Sequence, residues 1–511
     1  MTTREQINST LFRACDTFRG KIDSSRYKDY VLSMLFVKYL SDVNRECRDR
    51  YAQQYGGDAE RVERAMSRER FAIDRDSSFE YLYEHRDDND IGQKINIALS
   101  QIEDHNSGKL RGVFRAIDFN SQVDFGDAVA KKAILHNLLE DFAELDLRPS
   151  QIDGSDIIGD AYEYMIAQFA SDAGKKGGEF FTPSQVSRLV AELADPHEND
   201  RIYDPTCGSG GLLLKAHKKV KSGKVALYGQ EQNAQTWALC TMNMFLHGID
   251  DAHIWHGDTL ANPRNVKDDA LMTFQVVIAN PPFSAKQWDA GFLAGAGLDA
   301  KGRKQQKMTA DLDPWKRFDW GVPPQSSGDY AFILHMLASL DANGGRMAVV
   351  MPHGVLFRGN QEGKIRRAIL EHNLLDAVIG LPANLFYGTG IPACILVFKK
   401  NRAARDVFFI DASGEGNYES AKNQNVLRDS DIERIVTAYR ARTDIEKYAH
   451  AATLDEILEN DCNLNIPRYV DTFEEEPLVD IGQVQKNIAA IEKELAEVQT
   501  QMAQYMKELG L

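Results

Sequence analysis

Residues 274–283 read Phe-Gln-Val-Val-Ile-Ala-Asn-Pro-Pro-Phe, an apolar run that ends at two consecutive prolines. A β-branched run that breaks at Pro-Pro predicts a buried strand followed by a rigid turn. The prolines bring no N–H donors, so the turn offers acceptors, among them the Asn280 amide oxygen. Phe283 adds a flat apolar face. The turn therefore suits an amino group on a planar heterocycle, and a strand-ending turn with a polar cap is the simpler alternative.

Length and composition limit the class of protein. The chain has 511 residues, of which 43% are hydrophobic, so we expect two or three folded domains rather than a disordered chain. No apolar run reaches the ~20 residues of a membrane span, and the first residues lack the apolar segment of a signal peptide. The six cysteines are scattered without a C-x-x-C pair. We therefore expect a cytoplasmic protein with no disulfide framework, no metal site and no membrane association.

The net charge of −16 bears on any nucleic-acid substrate. Binding to DNA is dominated by cations that meet phosphates. A chain this acidic binds DNA poorly by itself unless its Lys and Arg residues are segregated. We therefore expect a partner to help hold such a substrate.

Three regions of the chain differ in sequence pattern. Residues 1–150 predict a helical domain, with apolar helices near 30–40 and 131–145. In residues 151–470, short apolar runs alternate with helical stretches, which favours a largely parallel α/β sheet. The expected strands are Arg201–Tyr203, Val225–Tyr228, Phe274–Ala279, Arg346–Met351, Asp376–Leu381 and Cys394–Phe398.

The third region, residues 471–511, contains apolar residues spaced alternately three and four apart. A heptad pattern of this kind predicts a coiled coil with another helix, and packing onto the chain's own domain is the alternative. The repeating residues are Ile481, Val484, Ile488, Ile491, Leu495, Val498, Met502, Tyr505 and Leu509.

A glycine-rich turn between a strand and a helix predicts a cofactor site. Glu231 lies 20 residues after this turn, at the end of the next strand, where an acid binds ribose hydroxyls in dinucleotide folds. Asp258 follows a third short strand and either accepts from an adenine amino group or caps its own turn. The pattern departs from G-x-G-x-x-G, which disfavours a dehydrogenase and leaves other adenosine cofactors open. The turn comprises Asp204, Pro205, Thr206, Cys207, Gly208, Ser209, Gly210 and Gly211.

Two further segments flank these motifs. Thr182 and Pro183 predict a helix N-cap followed by proline at the first helical position. The preceding Phe180 and Phe181 either pack in the core or form a lid over a cofactor. Residues 284–327 form a long insert rich in Gly, Lys and Asp, and loops of this length are usually functional or mobile.

Taken in order, these motifs resemble the γ-type amino-methyltransferases, and the whole chain is similar to the modification (M) subunits of type I restriction–modification systems. The motifs are Phe-Phe-Thr-Pro at 180–183, the glycine turn at 204–211, the acid at 231 and Asn-Pro-Pro-Phe at 280–283. The similarity extends to residues 29–42, 345–352 and 381–392. It implies a Rossmann-like methyltransferase domain with a mixed seven-stranded sheet, an N-terminal helical domain and a C-terminal coiled-coil helix.

The resemblance also implies a reaction: S-adenosylmethionine would methylate adenine N6 in DNA without a metal ion. Asn280 and the Pro281 carbonyl would accept from the target amino group, with Pro282 completing the turn and Phe283 stacking on the flipped base. Glu231 would hold the ribose and Asp258 the cofactor adenine. The methionine part would lie among Glu179, Phe180, Phe181, Thr182, Pro183, Ser184, Asp204, Thr206, Gly208, Ser209, Gly210 and Gly211.

Partners are implied in the same way. A specificity subunit would choose the DNA sequence, expected as two M subunits with one specificity subunit, and a restriction subunit would join the full complex. Two other functions stay open: methylation of a protein glutamine, and a non-catalytic assembly role with the cofactor as a structural ligand. In the insert, a mobile DNA-facing loop and a solvated charge run are the alternatives for Lys301, Arg303, Lys304 and Lys307.

Overall fold

The computed structural model describes residues 1–152, 154, 156–173, 181–296, 307–422, 424–472 and 481–509. The chain divides into two compact units, Met1–Val470 and Asp471–Leu511. The predicted boundary near residue 150 therefore falls inside the first unit. The residues of the sequence predictions that lie outside the described part of the chain are Glu179, Phe180, Lys301, Arg303 and Lys304.

The N-terminal region is helical, as predicted. Its second helix is buried on all sides around Val31–Leu40, because all but two side chains of that stretch, Ser33 and Lys38, are apolar. The buried ion pair of Lys38 and Asp42 (2.9 Å) lies on the same helix. The helices are α1 Arg4–Phe18, α2 Ser24–Gln54, α3 Ala59–Met66, α4 Phe79–Glu84, α5 Ile91–His105, α6 Ser107–Leu110, α7 Gln122–Phe125 and α8 Ala128–Ala143.

The α/β region contains all six predicted strands, with bounds that differ from the prediction by at most three residues. Its strands are β1 Arg201–Asp204, β2 Ala226–Glu231, β3 His253–His256, β4 Val266–Lys267, β5 Ala270–Leu271, β6 Val276–Ala279, β7 Arg346–Pro352, β8 Leu375–Gly380, β9 Ala393–Lys399, β10 Asp406–Asp411, β11 Glu419–Ser420, β12 Asn425–Val426 and β13 Ala449–Thr453. The main sheet runs in the order β13-β10-β8-β9-β7-β6-β1-β2-β3, and β4-β5 and β11-β12 are small separate hairpins.

The sheet is mixed, as expected, but it has nine strands rather than seven. The seven from β3 to β8 in spatial order correspond to the expected sheet, and β10 and β13 extend it at the β8 edge. Strands β9 and β13 are antiparallel to their neighbours, and the other pairs are parallel. The edge strand β13 reads Ala-His-Ala-Ala-Thr, and so small a set of side chains carries no recognisable strand pattern.

Both faces of the sheet are covered, which explains why its central strands are continuously apolar. In β6, Val276 and Ile278 pack on one face, while Val277 and Ala279 pack on the other. The helices of this region are α9 Ile157–Ala173, α10 Ser184–Ala194, α11 Gly211–Lys219, α12 Ala234–Leu246, α13 Ala290–Gly295, α14 Asp329–Ala338, α15 Gly354–Phe357, α16 Asn360–Glu371, α17 Asp429–Ala441 and α18 Leu454–Glu459.

The described parts of the long insert are packed against the core. Trp288 and Phe292 precede the undescribed stretch and Phe318 follows it, and all three are buried in one cluster. Arg317 and Asp313 form a fully buried ion pair at 2.8 Å. The described parts therefore act as scaffold, whereas three of the four cations proposed to face DNA lie outside them.

The second unit contains one described helix, α19 Ile481–Glu508. Its apolar stripe is exposed at every heptad position from Val484 to Leu509, with Ile491 64% and Val498 60% exposed. Within the described residues, no helix of either unit is long and apolar enough to cross a membrane.

Candidate active site

The predicted motifs meet at one edge of the sheet. Strands β1, β2, β3 and β6 run parallel, so the residues at their carboxyl ends lie side by side. A cavity of about 880 Å³ opens there, within the size range of ligand sites. The predicted site residues that line this central cavity are Thr206, Glu231, Asp258, Asn280 and Pro282.

The glycine turn after β1 needs its glycines. Gly208 and Gly210 have left-handed φ values of 54° and 87°. A Cβ on Gly210 would lie 2.4 Å from the Met244 side chain. Cys207 within this turn is a buried thiol, 3.8 Å from the thiol of Cys240, as expected for a small packing residue. The turn therefore packs closely against α12, and Pro205 and Thr206 at its start line the central cavity.

Glu231 is fixed by backbone donors on both sides. Its Oε2 accepts from the Gly208 N–H at 3.1 Å, and its Oε1 accepts from the Asn233 N–H at 2.7 Å. Burial raises the pKa of this carboxyl. These two bonds join the glycine turn to the start of α12 and hold the carboxylate in the wall of the cavity.

Asp258 caps its own turn, which is one of the two alternatives that its sequence position suggested. Its Oδ1 caps the following turn by accepting from the N–H groups of Leu260 (2.9 Å) and Ala261 (3.2 Å). The same carboxylate lines the central cavity. Its second oxygen is the one with capacity to accept from a ligand.

Asp204 is buried at the end of β1, and burial raises the pKa of its carboxyl to about 8. Its Oδ1 accepts from the Thr206 N–H at 3.0 Å. A narrow cleft beside the central cavity is lined by Asp204 together with Phe181, Thr182, Thr206, Gly208, Ser209, Gly211 and Asn280.

The Asn280 amide has one end bonded and one end open. Its Nδ2 donates to the Thr182 hydroxyl at 2.9 Å. Its Oδ1 is buried without a hydrogen-bond partner among the described residues, and the side chain borders both the cavity and the cleft. A buried acceptor left unpaired costs about 1–3 kcal/mol, so this oxygen is poised for a ligand donor.

Thr182 does not cap α10, so this part of the sequence prediction is wrong. The helix begins at Ser184 with Pro183 at the N-cap position and no side-chain cap. The Thr182 hydroxyl instead meets Asn280, 98 residues further along the chain. Phe181 is buried against the helical-region core, which supports core packing rather than a lid for this ring.

Two aromatic residues near the turn were not singled out from the sequence. The ring of Phe386, in the connection between β8 and β9, lies edge-on to Phe283 with centroids 5.8 Å apart. The next ring, Tyr387, packs 5.9 Å from Phe181. The β8–β9 connection thus covers one side of the Asn280 turn. In the sequence, the adjacent aromatic residues Phe386 and Tyr387 are the feature that could have indicated this contact.

The residue after the turn is held by a partly buried ionic network. Ser284 has a left-handed φ of 51°, and its N–H donates to Asp329 Oδ1 at 2.7 Å. Arg358 contacts Asp329 Oδ2 at 2.8 Å and the Ser284 hydroxyl at 3.3 Å. Sequence reasoning missed this network because its members stand far apart in the chain.

The helical region also contributes to the site, although its sequence gave no sign of a catalytic role. Arg26 and Lys28, both on α2, line the central cavity. Arg26 is fixed by a two-point contact with the buried Asp124 (2.7 and 2.8 Å). The cavity is therefore shared between the two regions of the first unit.

Comparison with known proteins defines the class. The sequence profile of the N-6 DNA methylase family matches residues 153–477, and the profile of the HsdM N-terminal domain matches residues 7–142. Together with the sheet and its cavity, the match defines an S-adenosylmethionine-dependent, adenine-specific DNA methyltransferase.

Individual relatives narrow this class. The type I restriction enzyme MpnII methylase subunit of Mycoplasma pneumoniae is 32% identical, over 99% of this chain and 96% of the relative. The HindI methylase subunit of Haemophilus influenzae is 32% identical, over 82% and 92%. A crystal structure of the type I restriction–modification methyltransferase subunit from Streptococcus thermophilus is 36% identical, covers 92% and 100%, and superposes with a TM-score of 0.78. The chain belongs to the family of type I restriction enzyme methylase subunits.

The residues at the site fit S-adenosylmethionine. Among the described residues that line the cavity and the cleft, two buried polar atoms lack partners, Asn280 Oδ1 and Thr206 Oγ1, and both side chains border the cavity as well as the cleft. Acceptors for hydroxyl and amino groups stand at the ends of successive strands, at Glu231 and Asp258. The buried Asp204 carboxyl beside the cleft suits a cationic group.

Proposed function

We propose that the protein methylates N6 of an adenine in DNA, that the Asn280 turn holds this adenine, and that a separate specificity subunit selects it. The observation that carries the assignment of the turn is the buried, unpaired Oδ1 of Asn280. The exposed apolar stripe of α19 carries the assignment of the partner.

Methyl transfer to adenine N6 requires that the turn accept hydrogen bonds from both N–H groups of the target amino group. Asn280 Oδ1 accepts one and the Pro281 carbonyl accepts the other, while Pro281 and Pro282 bring no competing donors. With both N–H bonds directed at the protein, the nitrogen becomes pyramidal, and its lone pair leaves conjugation with the ring and can attack the methyl group. When bound, S-adenosylmethionine supplies the methyl group as a sulfonium donor. Positioning of the amino group is thus the main contribution of these residues.

The target base must leave the DNA stack to reach this turn. Phe283 stacks on the flipped adenine, and the edge-on contact from Phe386 keeps the Phe283 ring in place. Stacking of a base on an aromatic side chain contributes about 1–3 kcal/mol and accepts any base, so the amino-group acceptors supply the preference for adenine.

The cavity lining supports cofactor roles for Glu231 and Asp258, and the lining of the cleft supports such a role for the glycine turn. Glu231 accepts from the ribose hydroxyls, and Asp258 accepts from the cofactor adenine amino group. Asp204, Thr206 and the glycine turn from Gly208 to Gly211 hold the methionine part, together with residues 179–184. The Thr182 hydroxyl in this last segment acts mainly through Asn280.

The net charge and α19 support an assembly with partner subunits. With a net charge of −16, the chain gains from a partner that supplies affinity for DNA. The heptad stripe of α19 pairs with helices of the specificity subunit. Two copies of this chain join one specificity subunit, a restriction subunit completes the complex, and the assembly works in the cytoplasm.

A tritium-transfer assay tests this function. The chain is incubated with tritiated S-adenosylmethionine and DNA, with and without a co-expressed specificity subunit. We expect label at adenine N6, dependent on the specificity subunit, and loss of labelling in Asn280→Ala with cofactor binding retained. Asn89→Ala, an exposed asparagine of the helical region, serves as the matched control. Label in protein rather than DNA, or full DNA labelling by Asn280→Ala, would refute the proposal.

A further inference from the structure

We propose that a basic groove beside the Asn280 turn binds the phosphates of the DNA strand next to the target adenine. This inference rests on the proposed function of the turn. The basic groove has a volume of about 500 Å³ and lies between α16 and the segment after α18. The residues that define it are Phe357, Asn360, Lys364, Arg367, Asn460 and Arg468.

The basic groove begins next to the Asn280 turn. Arg358, one residue after Phe357, donates to the hydroxyl of Ser284, which directly follows Phe283. Strand β7 leads to the segment that contains Phe357 and Arg358, and it pairs in parallel with β6, which leads to Asn280. The two strands therefore end at the same edge of the sheet. A strand of DNA with its base in the turn must continue across this edge.

Positive charge is concentrated in the basic groove. Lys364 and Arg367 are exposed and form no ion pair with any described residue, and Arg468 is hydrogen-bonded to Asn460 at 3.0 Å. Beneath them, the buried Arg366 donates to backbone carbonyls and adds a further charge.

Two acids partly offset these cations. The basic groove also contains the carboxylates of Glu459 and Asp461, so its lining has four positive and two negative side chains. The local balance is opposite in sign to the net charge of the chain. An anionic polymer that most of the protein surface repels is therefore favoured at this place.

The shape of the basic groove also suits a nucleic-acid backbone. Lys364 and Arg367 are three residues apart and so project from the same side of α16, about 5–6 Å from each other at Cβ, which allows contacts to successive phosphates. The ring of Phe357 is half exposed, and a Cβ at Gly359 would meet no atom within 4 Å. The entrance therefore leaves room for a sugar beside an apolar face.

Salt dependence of DNA binding tests the inference, measured by fluorescence anisotropy on the complex with the co-expressed specificity subunit. The affected variant is Lys364→Gln/Arg367→Gln. Its control is Lys221→Gln/Lys224→Gln, which removes two exposed lysines that precede β2, at the opposite edge of the sheet. Each phosphate contact contributes about 0.9 to the slope of log K against log salt, so the groove variant should lose about 1.8 from the slope.

The outcomes separate this inference from the proposed function. We expect the groove variant to show a higher KM for DNA with kcat kept at low salt, and Lys364→Arg/Arg367→Lys to restore the slope. An unchanged slope in the groove variant, or the same loss in the control, overturns the inference while wild-type methylation stands. A fall in kcat with an unchanged slope also overturns it, because the groove would then only support the fold. Absence of DNA methylation by the wild-type complex refutes the proposed function instead.

Discussion

The Nδ2 of Asn280 donates to the Thr182 hydroxyl at 2.9 Å, and this bond turns the amide oxygen of Asn280 toward the cavity as an unpaired acceptor. The contact joins the turn after β6 to the segment that leads into α10. Thr182 thus orients the Asn280 amide that is proposed to hold the substrate. This hydrogen bond connects the segment proposed to bind the cofactor with the turn proposed to bind the target base.

Replacement of Thr182 by valine should lower kcat without abolishing cofactor binding. Valine keeps the shape and removes the hydroxyl, so the Asn280 amide loses the partner that fixes its orientation. A hydrogen bond of this kind contributes about 1–1.5 kcal/mol, which corresponds to roughly a tenfold fall in kcat. Single-turnover methylation gives the rate, and Thr182→Ser, which keeps the hydroxyl, should stay near wild type. Equal rates for the valine and serine variants would contradict this role.

An acceptor oxygen at position 329 should be needed to position the Asn280 turn, because the Ser284 N–H donates to Asp329 Oδ1. Asp329→Ala removes the acceptor of the Ser284 N–H and the partner of Arg358, which should destabilise the strained Ser284 conformation by about 1–3 kcal/mol. Asp329→Asn keeps an acceptor oxygen for Ser284 and should retain most of the activity. We expect kcat to fall in the alanine variant with little change in the KM for S-adenosylmethionine. A parallel rise in that KM would indicate a general loss of folding at the site instead.

Site residues whose position depends on neighbouring residues in the sequence could be predicted, whereas contacts between residues far apart in the sequence could not. The positions of the glycine turn, Glu231 and Asn280 at the ends of strands were predictable, because the strand and the turn that follows it lie within about ten residues of the sequence. The contacts of Thr182, Asp329 and Phe386 were not, since each reaches a residue at least 45 positions away. No local pattern encodes such pairings.

The fold shows the same limit. The six predicted strands are apolar runs buried on both sides, and this is the signal that sequence patterns carry best. Strand β13 pairs antiparallel at the sheet edge and consists mainly of alanine, so its place is set by β10 rather than by its own composition. Arg26 and Lys28 reach the cavity through the packing of α2, which a charge pattern along one helix does not reveal.

The pKa of Asp204 predicts a pH dependence of stability in the absence of ligand. Because burial raises this pKa to about 8, the folded protein holds a proton there that the unfolded chain releases near pH 4. The contribution of the protonated carboxyl to stability is therefore complete at low pH and is lost as pH rises through about 8. Between about pH 4 and pH 8 the folded protein loses about 1.4 kcal/mol of stability per pH unit.

Urea unfolding between about pH 5.5 and 7.5, well inside that window, measures this effect. Asp204→Asn mimics the protonated acid, so its stability relative to wild type should increase with pH. Asp49→Asn, at an exposed aspartate, should show a constant difference. Saturating S-adenosylmethionine should reduce the slope, because a bound cation favours the carboxylate. Parallel curves for wild type and Asp204→Asn would show that the carboxyl is ionised in the folded protein.

Disruption of the α19 stripe should separate assembly from cofactor binding. Leu495 and Val498 are 55% and 60% exposed on this helix, and their apolar area stabilises the chain only if another helix covers it. Leu495→Asp/Val498→Asp should therefore abolish co-purification with the specificity subunit and leave S-adenosylmethionine binding and thermal stability unchanged. Glu494→Gln/Glu497→Gln alters neighbouring flank positions and should assemble normally. If the aspartate variant still assembles, α19 is not the contact; if it unfolds, the stripe packs on this chain's own surface, which was the alternative from the sequence.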